Sequence, residues 1–160
     1  MFDWFALTDT PVAAATPWDA INLLKADHDS VKELFDRFKK ARNRRSKAKI
    51  ASQAITELKI HAVLEQEIFY PAVRRRVGKD VMNEADEEHH VAKLLIAELE
   101  KMDGRSDHFD AKFSVLAENV RHHINEEESE MLPKVQHLDI DFVKLGQRML
   151  RRKQQLLARA

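Results

Sequence analysis

Apolar residues recur at alternating steps of three and four along most of this chain. In the first such stretch, Leu24, Val31 and Phe35 carry the pattern, and this spacing keeps side chains on one face of a helix. The chain has only 3 glycines and 4 prolines, so helix formers dominate over turn formers. The pattern predicts helices over residues 17–42, 46–76, 79–102 and 107–132, and a fifth over residues 139–159.

Turn-forming residues mark where these helices should begin and end. Thr16 is expected to cap the first helix, with Pro17 in its first position. Pro71 should interrupt the second helix near its end, and Gly78 should terminate it. We therefore predict an all-α fold, an antiparallel up-down-up-down four-helix bundle. Its expected divisions are an N-terminal arm (1–16) with Phe2, Trp4 and Phe5, the bundle (17–137), and a C-terminal helix packed on it (138–160).

Six polar residues occupy positions on the apolar stripes, where they should face the core. They are His28, His61, Glu65, His89, His123 and Glu127. His61 and Glu65 are four residues apart and are followed by a proline six residues later, and the same spacing recurs 62 residues on. A lone histidine precedes each pair, with an offset of 61. The candidate site is therefore built by an internal repeat.

Equal distance from a turn places two residues of an antiparallel hairpin at the same height. His28 and His61 are centred between Arg44 and Arg45, inside the first predicted turn, and His89 and His123 are centred on residue 106. Burying these side chains without partners would cost about 1–3 kcal/mol per group. Imidazole and carboxylate groups are ligands of iron, manganese and zinc, so the layer predicts a metal centre. A buried histidine–glutamate hydrogen-bond network without metal is the alternative.

Composition narrows the function further. Lys and Arg total 27 and Asp and Glu total 27, so no general nucleic-acid binder is indicated. The absence of cysteine excludes disulfides, thiolate zinc sites and iron–sulfur clusters. The basic stretch over residues 39–49 is read as a helix end rather than a phosphate site. With no signal-peptide pattern and no long apolar run, we expect a cytoplasmic protein that binds neither nucleic acid nor membrane.

The remaining histidines and acids fall off the apolar stripes. His90 and His122 are expected at the periphery of the layer, while His108 and His137 lie near helix ends and should be solvated. The acids flanking Glu127 are expected on a solvated face; they are Glu126, Glu128 and Glu130. Tyr70 and Glu130 are nevertheless near enough in sequence to reach the site.

These motifs resemble the hemerythrin-like, HHE cation-binding domain family. The resemblance rests on residues 26–28, 61–71, 88–89 and 123–133, within coverage from about residue 21 to 133. It implies a non-haem centre of two iron ions with an oxo or hydroxo bridge, although zinc or manganese remains possible. The four stripe histidines become terminal ligands, and Glu65 and Glu127 become bridges. In oxygen-carrying members a second histidine follows one turn after the one in the third helix, where this chain has Lys93.

This difference argues against reversible dioxygen carriage. The leading hypothesis is a di-iron protein that binds or responds to dioxygen, nitric oxide or peroxide, as a sensor, scavenger or protective factor. Two alternatives stay open: a di-iron oxidoreductase that turns over peroxide, and a metal-stapled helical interaction module without redox function. Whether the protein is an enzyme, and its oligomeric state, are left undecided by the residues.

Overall fold

The computed structural model describes residues 18–160. Over these residues the fold is all-α, which confirms the predicted class. The helices are α1 Ala20–Lys40, α2 Arg44–Leu64, α3 Tyr70–Val77, α4 Lys79–Lys101, α5 Asp107–Glu126, α6 Leu132–Val135 and α7 Phe142–Arg159. A π-helical turn, Glu65–Phe69, joins α2 to α3, and a second, Glu127–Met131, joins α5 to α6. The bundle thus has four antiparallel rods: α1, α2 with α3, α4, and α5 with α6. The last helix, α7, packs mainly against α1 and α2.

The first helix begins later than its sequence suggested. Asp19 is its N-cap, and its side-chain Oδ1 accepts a hydrogen bond from the backbone N–H of Asn22 at 2.9 Å. The predicted cap, Thr16, and the predicted first helical residue, Pro17, lie outside the described residues, as does the predicted N-terminal arm. Asp19 supplies the same kind of cap three residues further on, because its carboxylate reaches an N–H of the first turn.

Each π turn comes just before a proline. Pro71 has no N–H, and its ring would clash with the carbonyl four residues earlier in a regular helix. The wider turn accommodates it, and the N–H of Tyr70 donates to the carbonyl of Glu65, five residues earlier, as in a π-helix. Leu132 makes the equivalent hydrogen bond to Glu127 ahead of Pro133. The interruption predicted at Pro71 is therefore present, and it takes the form of a π turn.

The extra residue in each π turn shifts the helix phase, and this corrects one prediction. The period that runs through His61 and Glu65 predicts Ala72 on the buried stripe, but Ala72 is exposed and Val73 is fully buried instead. In the second copy, Glu130 is exposed, which agrees with its expected solvated position, and Met131 is buried. The regular 3.6-residue period no longer holds beyond the π turn, so the buried face moves on by one residue.

Two apolar clusters fill the bundle, one on each side of the polar layer. The cluster at the π-turn end includes Leu24, Phe69 and Leu132, and α7 adds Leu145 and Met149 to it. The cluster at the opposite end is built around four residues of α1 and α5: Phe35, Phe38, Phe113 and Leu116. The polar layer therefore lies between two apolar clusters.

Gly146 lets α7 lie directly against the start of α1. A Cβ at this position would lie 2.5 Å from the carbonyl oxygen of Trp18 and 2.9 Å from the backbone nitrogen of Ala20. Gly146→Ala should therefore lower the free energy of unfolding by about 1–3 kcal/mol, as overpacking does elsewhere. Gly104→Ala is the control, because its Cβ would meet only the Ala48 Cβ at 3.6 Å. Equal urea midpoints for the two variants would contradict this close approach.

Candidate metal centre

The structure brings all six stripe residues together in the middle of the bundle. His28 comes from α1, His61 from α2, His89 from α4 and His123 from α5, while the two π turns begin at Glu65 and Glu127. The rings of His28 and His61 have centroids 4.9 Å apart, and those of His89 and His123 are 4.8 Å apart. The histidines of each hairpin thus lie at one height, as their distance from the turns predicts.

His28, His61, Glu65 and Glu127 form what we term the first donor group, whose ligand atoms all lie within 4.8 Å of one another. His28 Nε2 is 3.5 Å from Glu127 Oε1 and 4.0 Å from Glu65 Oε1. His61 Nε2 is in close contact with Glu65 Oε1. The Nε2 atoms of both histidines and the Oε1 atoms of both glutamates are buried without a hydrogen-bond partner.

Four unsatisfied buried atoms facing one another are unusual in a folded core, because each costs about 1–3 kcal/mol. A cation among them would be a partner for all four at once. The donor set of two imidazoles and two carboxylates also matches the preference of iron, manganese and zinc. The first donor group therefore fits a divalent metal ion.

Glu65, His89 and His123 form the second donor group, also within 4.8 Å of one another. Glu65 Oε2 is 3.1 Å from His89 Nε2 and 3.7 Å from His123 Nε2. Glu127 Oε2 is 3.3 Å from His123 Nε2. Each of the two carboxylates therefore directs one oxygen to the first group and the other to the second. This is the arrangement needed to bridge two ions.

The Tyr70 hydroxyl lies against the second donor group. It donates a hydrogen bond to Glu127 Oε2 at 2.7 Å and lies 3.1 Å from His89 Nε2 and 3.2 Å from His123 Nε2. Tyr70 is fully buried and directly follows the first π turn. Of the two residues expected near the site, Tyr70 is thus in contact with it, whereas Glu130 is exposed.

Two acids that the sequence analysis did not single out accept hydrogen bonds from the histidine nitrogens that face away from the centre. His61 Nδ1 donates to Asp27 Oδ2 at 3.0 Å, and His123 Nδ1 donates to Glu88 Oε1 at 3.1 Å. These contacts leave each Nε2 atom directed at the centre, as in carboxylate–histidine–metal arrangements. Asp27 and Glu88 are themselves a repeat, 61 residues apart and each directly before a stripe histidine. That repetition was the signal that could have identified them.

Glu128 and Lys153 complete the surroundings of the first donor group. His28 Nδ1 donates to Glu128 Oε1 at 2.9 Å, so the expectation that Glu128 lies on a solvated face is wrong. The second π turn rotates it toward α1. Lys153, on α7, donates to Asp27 Oδ1 at 2.6 Å. The C-terminal helix is therefore connected to the layer through Lys153, Asp27 and His61.

The surroundings of three histidines of the layer raise their pKa values. Burial alone would lower the pKa of His61, but the charge of Glu65 and the hydrogen bond to Asp27 outweigh it and raise the pKa to about 9. Burial likewise opposes the charged form of His28 and His123, yet contacts with the surrounding glutamates hold the pKa of each well above its usual value. A metal ion must therefore displace protons to bind here.

The pKa of Glu65 shifts downward, whereas that of the neighbouring Tyr70 shifts upward. Burial would raise the pKa of Glu65, but His61, His123 and His28 hold that pKa well below its usual value. For Tyr70, burial and the charges of Glu65 and Glu127 all raise the pKa well above 10.0. The phenol therefore stays protonated while the two carboxylates beside it are ionised.

The remaining sequence-predicted positions lie outside the layer. His90, His108 and His137 are exposed, which agrees with their expected solvated or peripheral places. His122 is also exposed and faces Glu126 at 3.0 Å. Lys93 is exposed on α4, at the edge of a cavity that opens between α2 and α4 and reaches the histidines. No helix of the described residues is long and apolar enough to cross a membrane.

The chain is similar to known proteins. A curated DNA nickase from Nostoc sp. is 24% identical over 116 residues, which is 72% of this chain and 33% of the nickase. An uncharacterised hemerythrin-like protein of Schizosaccharomyces pombe is 24% identical over 110 residues, or 67% of this chain and 54% of the relative. The chain thus spans between one third and about half of the length of these relatives.

A solved structure shares the fold. The crystal structure of a hemerythrin HHE cation binding domain-containing protein from Mycobacterium kansasii superimposes with a TM-score of 0.76 and 23% identity, and the match covers 88% of each chain. The family model of the hemerythrin HHE cation binding domain matches residues 19–135, which contain both donor groups. The chain therefore belongs to the hemerythrin HHE cation-binding domain family.

Proposed function

We propose that this protein holds two iron ions in its two donor groups and binds dioxygen, nitric oxide or peroxide there, in a sensing, scavenging or protective role. The observation that carries the proposal is the set of four buried donor atoms that face one another without a hydrogen-bond partner in the first donor group. The second donor group supports it, because it shares Glu65 and faces Glu127.

Each residue of the layer has a proposed role in holding the ions. His28 and His61 would hold one ion and His89 and His123 the other, while Glu65 and Glu127 would connect the two. Iron held by histidine and carboxylate donors would supply ligand-binding and redox chemistry at these two groups. Asp27 and Glu88 would keep the imidazoles of His61 and His123 in the orientation that binding needs.

Lys93 bears on which ligand chemistry is favoured. Its side chain is exposed, so no imidazole is supplied from this turn of α4 to the second donor group. The cavity beside it gives a path from solvent to the histidine layer. The missing imidazole and the path from solvent favour reaction with a small molecule over reversible dioxygen carriage.

The test is iron content combined with ligand response. After iron-replete expression, we expect two iron ions per chain by elemental analysis. The anaerobically reduced protein should change its visible spectrum when titrated with nitric oxide, dioxygen or hydrogen peroxide. Chelation should lower the melting temperature, because a ligand of the native state stabilises it by about 4 kcal/mol at 1,000 times its Kd. Less than one iron per chain, or bound iron with no response to all three reagents, would contradict the proposal; the second result would favour the metal-stapled module.

A further inference from the structure

A cavity of about 280 Å³ opens between α2 and α4 and ends at the histidine layer. His61 and His123 are among the residues at its inner end, and Lys59, Lys93 and Glu100 lie on its exposed side. A dry cavity of about 150 Å³ is enough for benzene. The space is therefore much larger than a diatomic ligand or peroxide requires.

Most of the cavity wall is apolar. Its deepest aliphatic side chains are buried residues from all four rods of the bundle: Val31, Leu58, Ile96, Val120 and Ile124. Toward the opening the wall is made by small residues, including Ala62 on α2 and Ala92 and Ala97 on α4. Alanines at these positions leave the gap between α2 and α4 unfilled. A wall of this kind offers few partners to water and favours an aliphatic body of about ten carbons, by comparison with benzene.

The charge at the opening is not balanced. Lys59 Nζ lies 3.2 Å from both carboxylate oxygens of Glu100, so these two residues neutralise each other. Lys93 has no acidic partner within the described part of the chain, and its neighbours one turn away on α4 are His89 and Ala97. The opening therefore carries a positive charge available to an anionic head group, at the edge of an apolar space.

We propose that this cavity is a binding site for a medium-chain aliphatic carboxylate of about ten carbons. The carboxylate lies at Lys93, and the chain extends along the apolar wall toward the histidine layer. The site consists of protein atoms alone, so binding does not require a metal. This binding site goes beyond the proposed di-iron function, and each of the two proposals can be contradicted without the other.

Isothermal titration with hexanoate, octanoate and decanoate tests the apolar part of the site. Each buried methylene should tighten binding by about fourfold, in metal-free and in iron-loaded protein alike. Ala92→Trp fills the cavity and should weaken decanoate binding at least tenfold. Val91→Trp is the matched control, since Val91 is the neighbouring residue, is 43% exposed and does not line the cavity. The iron content of both variants reports separately on the metal centre.

Lys93→Met tests the head group, and it is a milder change that should preserve the fold. Exposed ion pairs contribute up to about fivefold in affinity, so decanoate binding should weaken by about two- to fivefold while 1-decanol binding stays unchanged. Absence of decanoate binding, affinity independent of chain length, or equal binding by Ala92→Trp and Val91→Trp would overturn the proposal. Binding that requires iron and is unaffected by Lys93→Met would also overturn it, because the carboxylate would then lie on the metal.

Discussion

Glu65→Ala should abolish metal binding at both donor groups together. Glu65 directs Oε1 to His28 and His61 and Oε2 to His89 and His123, so its loss would remove a donor from both groups. Loss of an outer partner of a metal ligand already costs 10- to 100-fold in affinity, so losing this ligand should cost more than about 100-fold. Elemental analysis of the purified variant should show almost no iron.

Two further variants make this test specific. Glu67→Ala removes a nearby carboxylate that is exposed and bound to Arg152 on α7, and it should keep the parent's iron content. His89→Ala affects only the second donor group and should retain about one iron per chain. If Glu65→Ala retains as much iron as Glu67→Ala, the bridging role assigned to Glu65 is wrong.

Metal affinity should rise steeply with pH between about 6.5 and 9. His61 must lose its proton to bind a metal, and its surroundings raise its pKa to about 9. Within this window the proton on His61 alone makes the affinity about tenfold higher per pH unit, and His28 and His123 act in the same direction. Competition with a chelator at pH 6.5, 7.5 and 8.5 measures the slope.

The stability of the metal-free protein should change in the opposite direction. A pKa that is higher in the folded than in the unfolded state contributes stability below the unfolded pKa, here 6.5, and this contribution is lost as pH rises through about 9. For His61 the contribution is on the order of 3 kcal/mol. The lowered pKa of Glu65 adds stability that is lost only on acidification below its usual 4.5.

Urea denaturation of the chelated protein at the same pH values tests this opposite slope. Asp27→Asn replaces the carboxylate that raises the pKa of His61 with a neutral amide, so the pH dependences of metal affinity and of stability should both move to lower pH. His90→Gln, which changes an exposed histidine, should leave both in place. Constant stability of the metal-free protein from pH 6.5 to 9, or metal affinity that falls with rising pH, would contradict the assigned ion pairs.

Helical period and distance from the turns were sufficient to predict the bundle and the residues that meet in it. The predicted helix 79–102 is observed as Lys79–Lys101, because its limits depend on local signals such as Gly78. The meeting of His28 with His61 depends only on two straight helices and one short turn. Both are properties of the backbone that the sequence encodes locally. That these residues bind metal stays a prediction.

The period failed where the backbone departs from 3.6 residues per turn. Val73 is buried in place of Ala72 because of a π turn, which an apolar pattern does not reveal. The inward position of Tyr70 has the same origin. Pro71 indicated an interruption, but not its form.

The hydrogen bonds to the outer nitrogens of the histidines were harder to predict, because they depend on how neighbouring helices are rotated about their axes. Asp27 and Glu88 contact histidines on the next helix, and only their repetition marks them. Lys153 lies beyond the repeat, among several other cations of α7. Nothing in its local sequence distinguishes it.

The repeat gives the centre an approximate internal two-fold symmetry, and Tyr70 breaks it. The residue 62 positions after Tyr70 is Leu132, so a phenol beside one donor group corresponds to an aliphatic side chain beside the other. Lys153 adds its charge behind His61 alone. Two ions held here would therefore have unequal surroundings, a phenol beside one and a lysine–aspartate pair behind a histidine of the other, and their reduction potentials would differ.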